Sequence, residues 1–163
     1  FKIYPTTKKL SEYMSDSQTP ISNEDENKLV AERRAKLAAL REQTQVVILS
    51  DTFEQFAVPL MRQLDWPAIW CHRLVTEGDR IVDYRLRMAD PKRHAVEALH
   101  GLNFRVIAAG DSYNDTTMLG QAVAGILFHA PQNVIDEFPQ YPAVHEFEDL
   151  KKEFLKASAV HSI

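Results

Sequence analysis
The sequence predicts an α/β fold with a mostly parallel sheet, and three observations carry that prediction. Short apolar runs of strand length stop abruptly at polar residues, as in Gln45-Val-Val-Ile-Leu-Ser50 and Arg105-Val-Ile-Ala-Ala109. Each is followed by apolar residues at helical spacing, so the chain alternates strand with helix. Two further runs flank Glu77-Gly78-Asp79, the signature of a hairpin inserted into that alternation.

Residues 1–22 are polar, contain two prolines and show neither helical nor strand periodicity, so an irregular N-terminal arm is expected there. Phe1-Lys2-Ile3-Tyr4 is its one short apolar stretch. Ser22 with Asp25 resembles a capping box, and Asn23 to Glu26 supply acids to the first turn of a helix. That helix is expected to run to about Glu42, with Leu29, Val30, Leu37 and Leu40 on its apolar side. Residues 23–163 are read as a single α/β core, which a chain of 163 residues is long enough to bury.

The first strand ends at Ser50, and Phe53, Phe56, Ala57, Leu60, Met61 and Leu64 then predict a helix from about Thr52. Trp66-Pro67 breaks the pattern, and Trp66 and Trp70 are expected in the core. Strands over 68–76 and 80–88 form the hairpin. Asp90-Pro91-Lys92 starts a helix, with Asp90 as N-cap and Pro91 at the first helical position. A strand then leads into Gly110-Asp111, followed by a helix to about Gln121, a strand over 124–128 and a short closing helix over 149–156.

Charge and composition narrow the function. The net charge is −4 with acids and bases interspersed, which speaks against a nucleic-acid groove or a membrane surface. Cys71 is the only cysteine, so no internal disulfide can form, and the cytoplasm is the expected compartment. The six histidines form no i, i+4 pair and no cluster with cysteine, so no zinc site is expected; His129, at a strand end, is read as structural.

Chemistry is expected at the strand ends, where open α/β sheets gather their sites. In Gly110-Asp111-Ser112-Tyr113-Asn114-Asp115, two carboxylates four apart straddle an asparagine, a supply of oxygen ligands suited to Mg²⁺. A capped helix start explains the same acids. Ser50 and Asp51 sit where a hydroxyl and free amides would bind an anion, or where one of them simply caps the helix. Lys92 in a first helical turn is unfavourable against the helix dipole unless it neutralises a bound phosphate; a solvated surface lysine is the plainer alternative.

Taken together, Val-Val-Ile-Leu-Ser-Asp-Thr-Phe, Asp-Pro-Lys-Arg and Arg-Val-Ile-Ala-Ala-Gly-Asp-Ser-Tyr-Asn-Asp-Thr-Thr-Met-Leu resemble, in order, the second, third and fourth motifs of the haloacid dehalogenase superfamily. With Pro-Leu-Met-Arg-Gln-Leu and Gly-Ile-Leu-Phe-His-Ala-Pro, the similarity runs from about Val30 to about Ala157. It is closest to the bacterial phosphoserine phosphatase/homoserine phosphotransferase subfamily. The resemblance implies a Rossmann-like core and a Mg²⁺-dependent phosphomonoester phosphatase or phosphotransferase acting on a small phosphorylated metabolite such as phosphoserine. It further implies that Ser50 and the Asp51 backbone hold the phosphoryl group, that Lys92 is catalytic and neutralises its charge, and that Asn114 reaches substrate or phosphate. Asp111 becomes a Mg²⁺ ligand, and Asp115 orients the metal's shell.

The family's first motif, a strand ending in Asp-x-Asp whose first carboxylate attacks phosphorus, is absent: no two aspartates in the sequence stand two apart. The cap segment is likewise unrecognisable. The chain is therefore expected to be a truncated core, inactive alone, with a non-catalytic phosphate- and Mg²⁺-binding module as the alternative. Asp51 is a poor substitute nucleophile, because Phe53 occupies the place of the second acid. A phosphorylation-controlled receiver domain is set aside, since there the acids come first and the lysine last. Loss of a central strand would leave backbone unpaired on its neighbours, so self-association or a complementing chain is expected.

Overall fold
The computed structural model describes residues 24–159. The N-terminal arm, Ser22 of the expected capping box and Phe1-Lys2-Ile3-Tyr4 lie outside the described residues. Two compact units divide between Arg87 and Met88.

In the first unit, α1 (Glu24–Gln43) leads into β1 (Val47–Phe53), α2 (Glu54–Gln63), β2 (Ala68–Glu77) and β3 (Arg80–Arg85). The sheet order is β1-β2-β3. β1 and β2 are parallel, with Val47 opposite Ala68 and Leu49 opposite Trp70. β2 and β3 form the expected antiparallel hairpin, turning at Gly78, whose φ of +59° is the left-handed conformation that glycine adopts without strain.

β1 does not stop at Ser50. It continues to Phe53, with a shift of register between Leu49 and Phe53, and the helix begins two residues later than predicted. The polar Ser-Asp-Thr segment stays extended because Phe53 is buried on the sheet, and because β2 offers pairing as far as His72. Beyond that point the Gln55 side chain takes over the ladder. Its Nε2 donates to the Leu74 carbonyl at 3.1 Å, and its Oε1 accepts from the Leu74 amide at 3.0 Å. Phe53, Ala57, Met61, Cys71 and Leu74 form the buried apolar centre.

Trp66 and Trp70 are not core residues. They are 57% and 40% exposed, because Trp66 sits in a left-handed turn and Trp70 alternates with Cys71 onto the outer face of β2. Asp65 in the same turn is clamped by the Arg34 guanidinium, and its carbonyl accepts from Arg41 at 3.4 Å.

The second unit runs α3 (Pro91–Gly101), β4 (Ile107–Gly110), a 3₁₀ turn (Tyr113–Asp115), α4 (Thr116–Gln121), β5 (Ala124–Phe128), α5 (Gln132–Glu137), β6 (Ala143–Val144) and α6 (Phe147–Ala159). Its sheet has the order β4-β5-β6 and is parallel throughout. α5 and β6 are too short to show a periodicity in the sequence. Val96, Leu119, Ile126, Leu127 and Val134 fill its core. Gly125 is needed where β5 passes α4, since a Cβ there would lie 2.7 Å from the Leu119 carbonyl oxygen.

Candidate functional site
The carboxyl end of β4 carries the acid loop. Gly110 closes the strand, and a Cβ on it would fall 2.4 Å from the Asp115 Cβ, so the close return of the loop over the strand requires glycine. Asp115 turns inward and is buried. Its Oδ1 accepts from Lys92 Nζ at 2.8 Å. Its Oδ2 accepts from the amides of Asp111 and Ser112 at 3.0 and 3.1 Å, and from the Ser112 hydroxyl at 3.0 Å. Burial would raise the Asp115 pKa, but the Lys92 hydrogen bond and charge, with the Asp111 amide and Ser112, hold it below the ordinary carboxylate value.

Lys92 is itself only 9% exposed, although it stands in the first turn of α3. The solvated-lysine reading is thereby corrected. A buried ammonium beside a positive helix end needs an anion, and Asp115 provides one. Asp90 occupies the N-cap position but does not cap. Its backbone is left-handed, with φ of +48°, and its carboxylate accepts from Thr117 Oγ1 at 2.8 Å and Arg93 Nε at 2.7 Å. The side chain thus ties the start of α3 to α4 instead of satisfying the helix's own amides.

Asp111 and Asn114 are exposed on the same loop. The Tyr113 hydroxyl donates to Glu137 at 2.6 Å, fastening the loop to α5, and that bond pushes the phenol's pKa up. Asp115 has both oxygens engaged, so it organises the loop and is not an open ligand. Asp111 is a carboxylate that fits a cation. Among the described residues no three His, Cys, Asp or Glu side chains gather into a metal cage. One carboxylate suits Mg²⁺, which binds through one or two of them and keeps waters and phosphate oxygens for the rest.

In the first unit, Ser50 Oγ accepts from the Thr52 amide at 3.2 Å, and Asp51 lies 3.7 Å from Nε2 of the buried His72. Both residues are part of an extended strand end, so neither serves as the N-cap of α2; that place is taken by Phe53. The structure thus brings Lys92, Asp115 and the Asp111 backbone together in one unit and sets Ser50 beside Asp51 in the other. Ser112, Gln55 and His72 were missed in the sequence. Ser112 alone carried a signal, standing three residues before Asp115 at capping-box spacing.

The fold is shared with solved members of the haloacid dehalogenase class. Over 120 residues, 73% of this chain, the sequence is 69% identical to a phosphoserine phosphatase of Pseudomonas syringae pv. tomato, of which the match covers 51%. It is 67% identical over 121 residues, 74% of the chain, to the phosphoserine phosphatase ThrH of Pseudomonas aeruginosa, of which 59% is covered. The chain is therefore related to the phosphoserine phosphatases of that class, and it spans little more than half the length of these curated relatives. A substrate-bound phosphoserine phosphatase complex shares the fold, with a TM-score of 0.62 at 17% identity, over 74% of this chain and 61% of that one. No protein-family model matches the chain.

Proposed function
We propose that this chain carries the phosphate- and metal-handling part of a phosphomonoesterase or phosphotransferase that acts on a small phosphorylated metabolite of the phosphoserine kind. The observation that carries the reading is the buried Lys92–Asp115 pair at 2.8 Å, set at a strand end beside an exposed carboxylate. Phosphoryl transfer asks chiefly for positioning and charge neutralisation, and these residues are of that kind.

In this reading Ser50 and the Asp51 backbone hold the phosphoryl group. Lys92, hydrogen-bonded to Asp115, is assigned the neutralisation of phosphate charge. Asn114 reaches the substrate, Asp111 holds Mg²⁺, and Asp115 keeps the Asp111 amide in place. Mg²⁺, when bound, neutralises phosphate charge. The reducing cytoplasm is the compartment proposed for the protein.

Covalent transfer through an aspartyl phosphate needs a carboxylate that the sequence does not supply, because it contains no Asp-x-Asp. The chain by itself is thus proposed to bind without turnover. The test is phosphate release from phosphoserine with Mg²⁺, beside an Asp111→Asn control and beside the chain joined to a strand ending in Asp-x-Asp. Release is expected only from the joined protein, and only with Asp111 intact. An inactive joined protein that is folded would overturn the proposed activity. Release by the chain alone, lost in the Asp111→Asn control, would show that it holds its own nucleophile.

A further inference from the structure
His72 is a buried titratable group that the proposed chemistry does not use. It lies on β2, one residue beyond Cys71, and is 5% exposed. Two polar contacts orient its ring, which also packs against Phe53. The Arg87 amide donates to Nδ1 at 3.3 Å, and Nε2 faces Asp51 Oδ1 at 3.7 Å. The Arg87 guanidinium also donates to the Cys71 carbonyl, so Arg87 is tied both to the imidazole and to the β2 backbone beside it. Because Nδ1 accepts a hydrogen bond, the proton of the neutral ring resides on Nε2, aimed at the Asp51 carboxylate.

Asp51 in turn is the middle residue of the extended Ser50-Asp51-Thr52 strand end, where the Thr52 amide donates to the Ser50 hydroxyl. We propose that His72 is a positioning residue: its Nε2–H holds the Asp51 carboxylate and so fixes the Ser50 hydroxyl and the strand-end amides for an anion. At 3.7 Å the contact is one of dipole with charge rather than a hydrogen bond. The consequence for phosphate rests on the function proposed above; the consequence for the strand end does not.

Two isosteric variants separate the two faces of the ring. His72→Asn keeps an acceptor for the Arg87 amide and loses the group toward Asp51. His72→Gln keeps a donor toward Asp51 and loses the acceptor. Amide exchange at Thr52 reads the strand end, and calorimetric titration with inorganic phosphate reads the site. In His72→Asn, Thr52 exchange is expected to accelerate by about tenfold or more, and in His72→Gln by no more than about threefold, the scale of one lost hydrogen bond. Phosphate affinity falls in the same order.

Equal behaviour of the two variants, or a larger effect in His72→Gln, would overturn the proposal, since the ring would then act only through Arg87. The nitrogen shifts of His72 in the unsubstituted protein give an independent reading that needs no variant to fold: protonated Nε2 with bare Nδ1 is expected, and a proton on Nδ1 overturns the proposal. If the exchange pattern holds while the protein binds no phosphate, the positioning role stands and the functional reading fails.

Discussion
Replacing Asp115 with alanine is expected to loosen the strand-end loop and to destabilise the second unit by about 4–6 kcal/mol, for a reason that can be worked through bond by bond. Lys92 and Asp115 are 9% and 6% exposed and 2.8 Å apart. Removing one member of a buried pair strands the other, which costs about 3–5 kcal/mol. The amides of Asp111 and Ser112 lose their acceptor as well, but that loop is partly open to water, so about 1 kcal/mol is a fair allowance for both. The double variant Lys92→Met with Asp115→Ala removes the stranded charge and should be less destabilised than Asp115→Ala alone. Trp66 and Trp70 both belong to the first unit, so the second is followed by probes of its own. Urea-dependent amide exchange at Val96, Leu119 and Ile126 is the suitable assay. A cost below about 1 kcal/mol, or a double variant as unstable as the sum of the singles, would refute the argument that the pair's burial governs the loop.

Three other outcomes follow from the same geometry. The Asp115 pKa is depressed in the folded state, so its stabilisation is fully present above the ordinary carboxylate value of about 3.9 and is lost as the pH falls from there through the depressed folded value. Acid titration of the second unit should show that loss, and the Asp115→Ala variant should not. Gly110→Ala drives a methyl group into Asp115, with contacts of 2.4 to 2.8 Å to its Cβ, Cγ and Oδ2, and should destabilise by about 1–3 kcal/mol or more while shifting the Asp111 and Ser112 amide resonances. Gln55→Ala removes both hydrogen bonds to Leu74 and leaves its amide and carbonyl unpaired; about 1–3 kcal/mol lost from the first unit, read by tryptophan fluorescence in urea, is expected, and an unchanged midpoint would mean that water replaces the glutamine.

The alternation of strands and helices was legible in the sequence because it rests on apolar periodicity, which the Val47–Phe53, Ile107–Gly110 and Ala124–Phe128 strands all express. The acid loop was legible only in company: a capped helix start explains Gly110-Asp111 and Asn114-Asp115 as well, and it was their order after Ser50 and Lys92 that singled them out. What was not legible depends on contacts between distant residues. The extension of β1 past Ser50 is decided by pairing with β2 and by burial of Phe53, neither of which is local. Asp90 looks like a capping residue in one dimension, but Arg93 and Thr117 claim its carboxylate in three. Trp66 and Trp70 were placed inside on hydrophobicity alone, while the left-handed turn at Asp65 and Trp66 and the alternation of β2 put them outside. His72 gave no signal at all, because its partners Arg87 and Asp51 lie 15 and 21 positions away along the chain.

The central claim is that the chain retains an anion site served by Lys92. Calorimetric titration with inorganic phosphate in the presence of Mg²⁺, on the unsubstituted chain and on Lys92→Met, tests it most directly. Saturable binding that weakens by about tenfold or more in Lys92→Met is predicted, the effect of removing one charge-assisted bond. No binding by the unsubstituted chain, or equal binding by the variant, would contradict it.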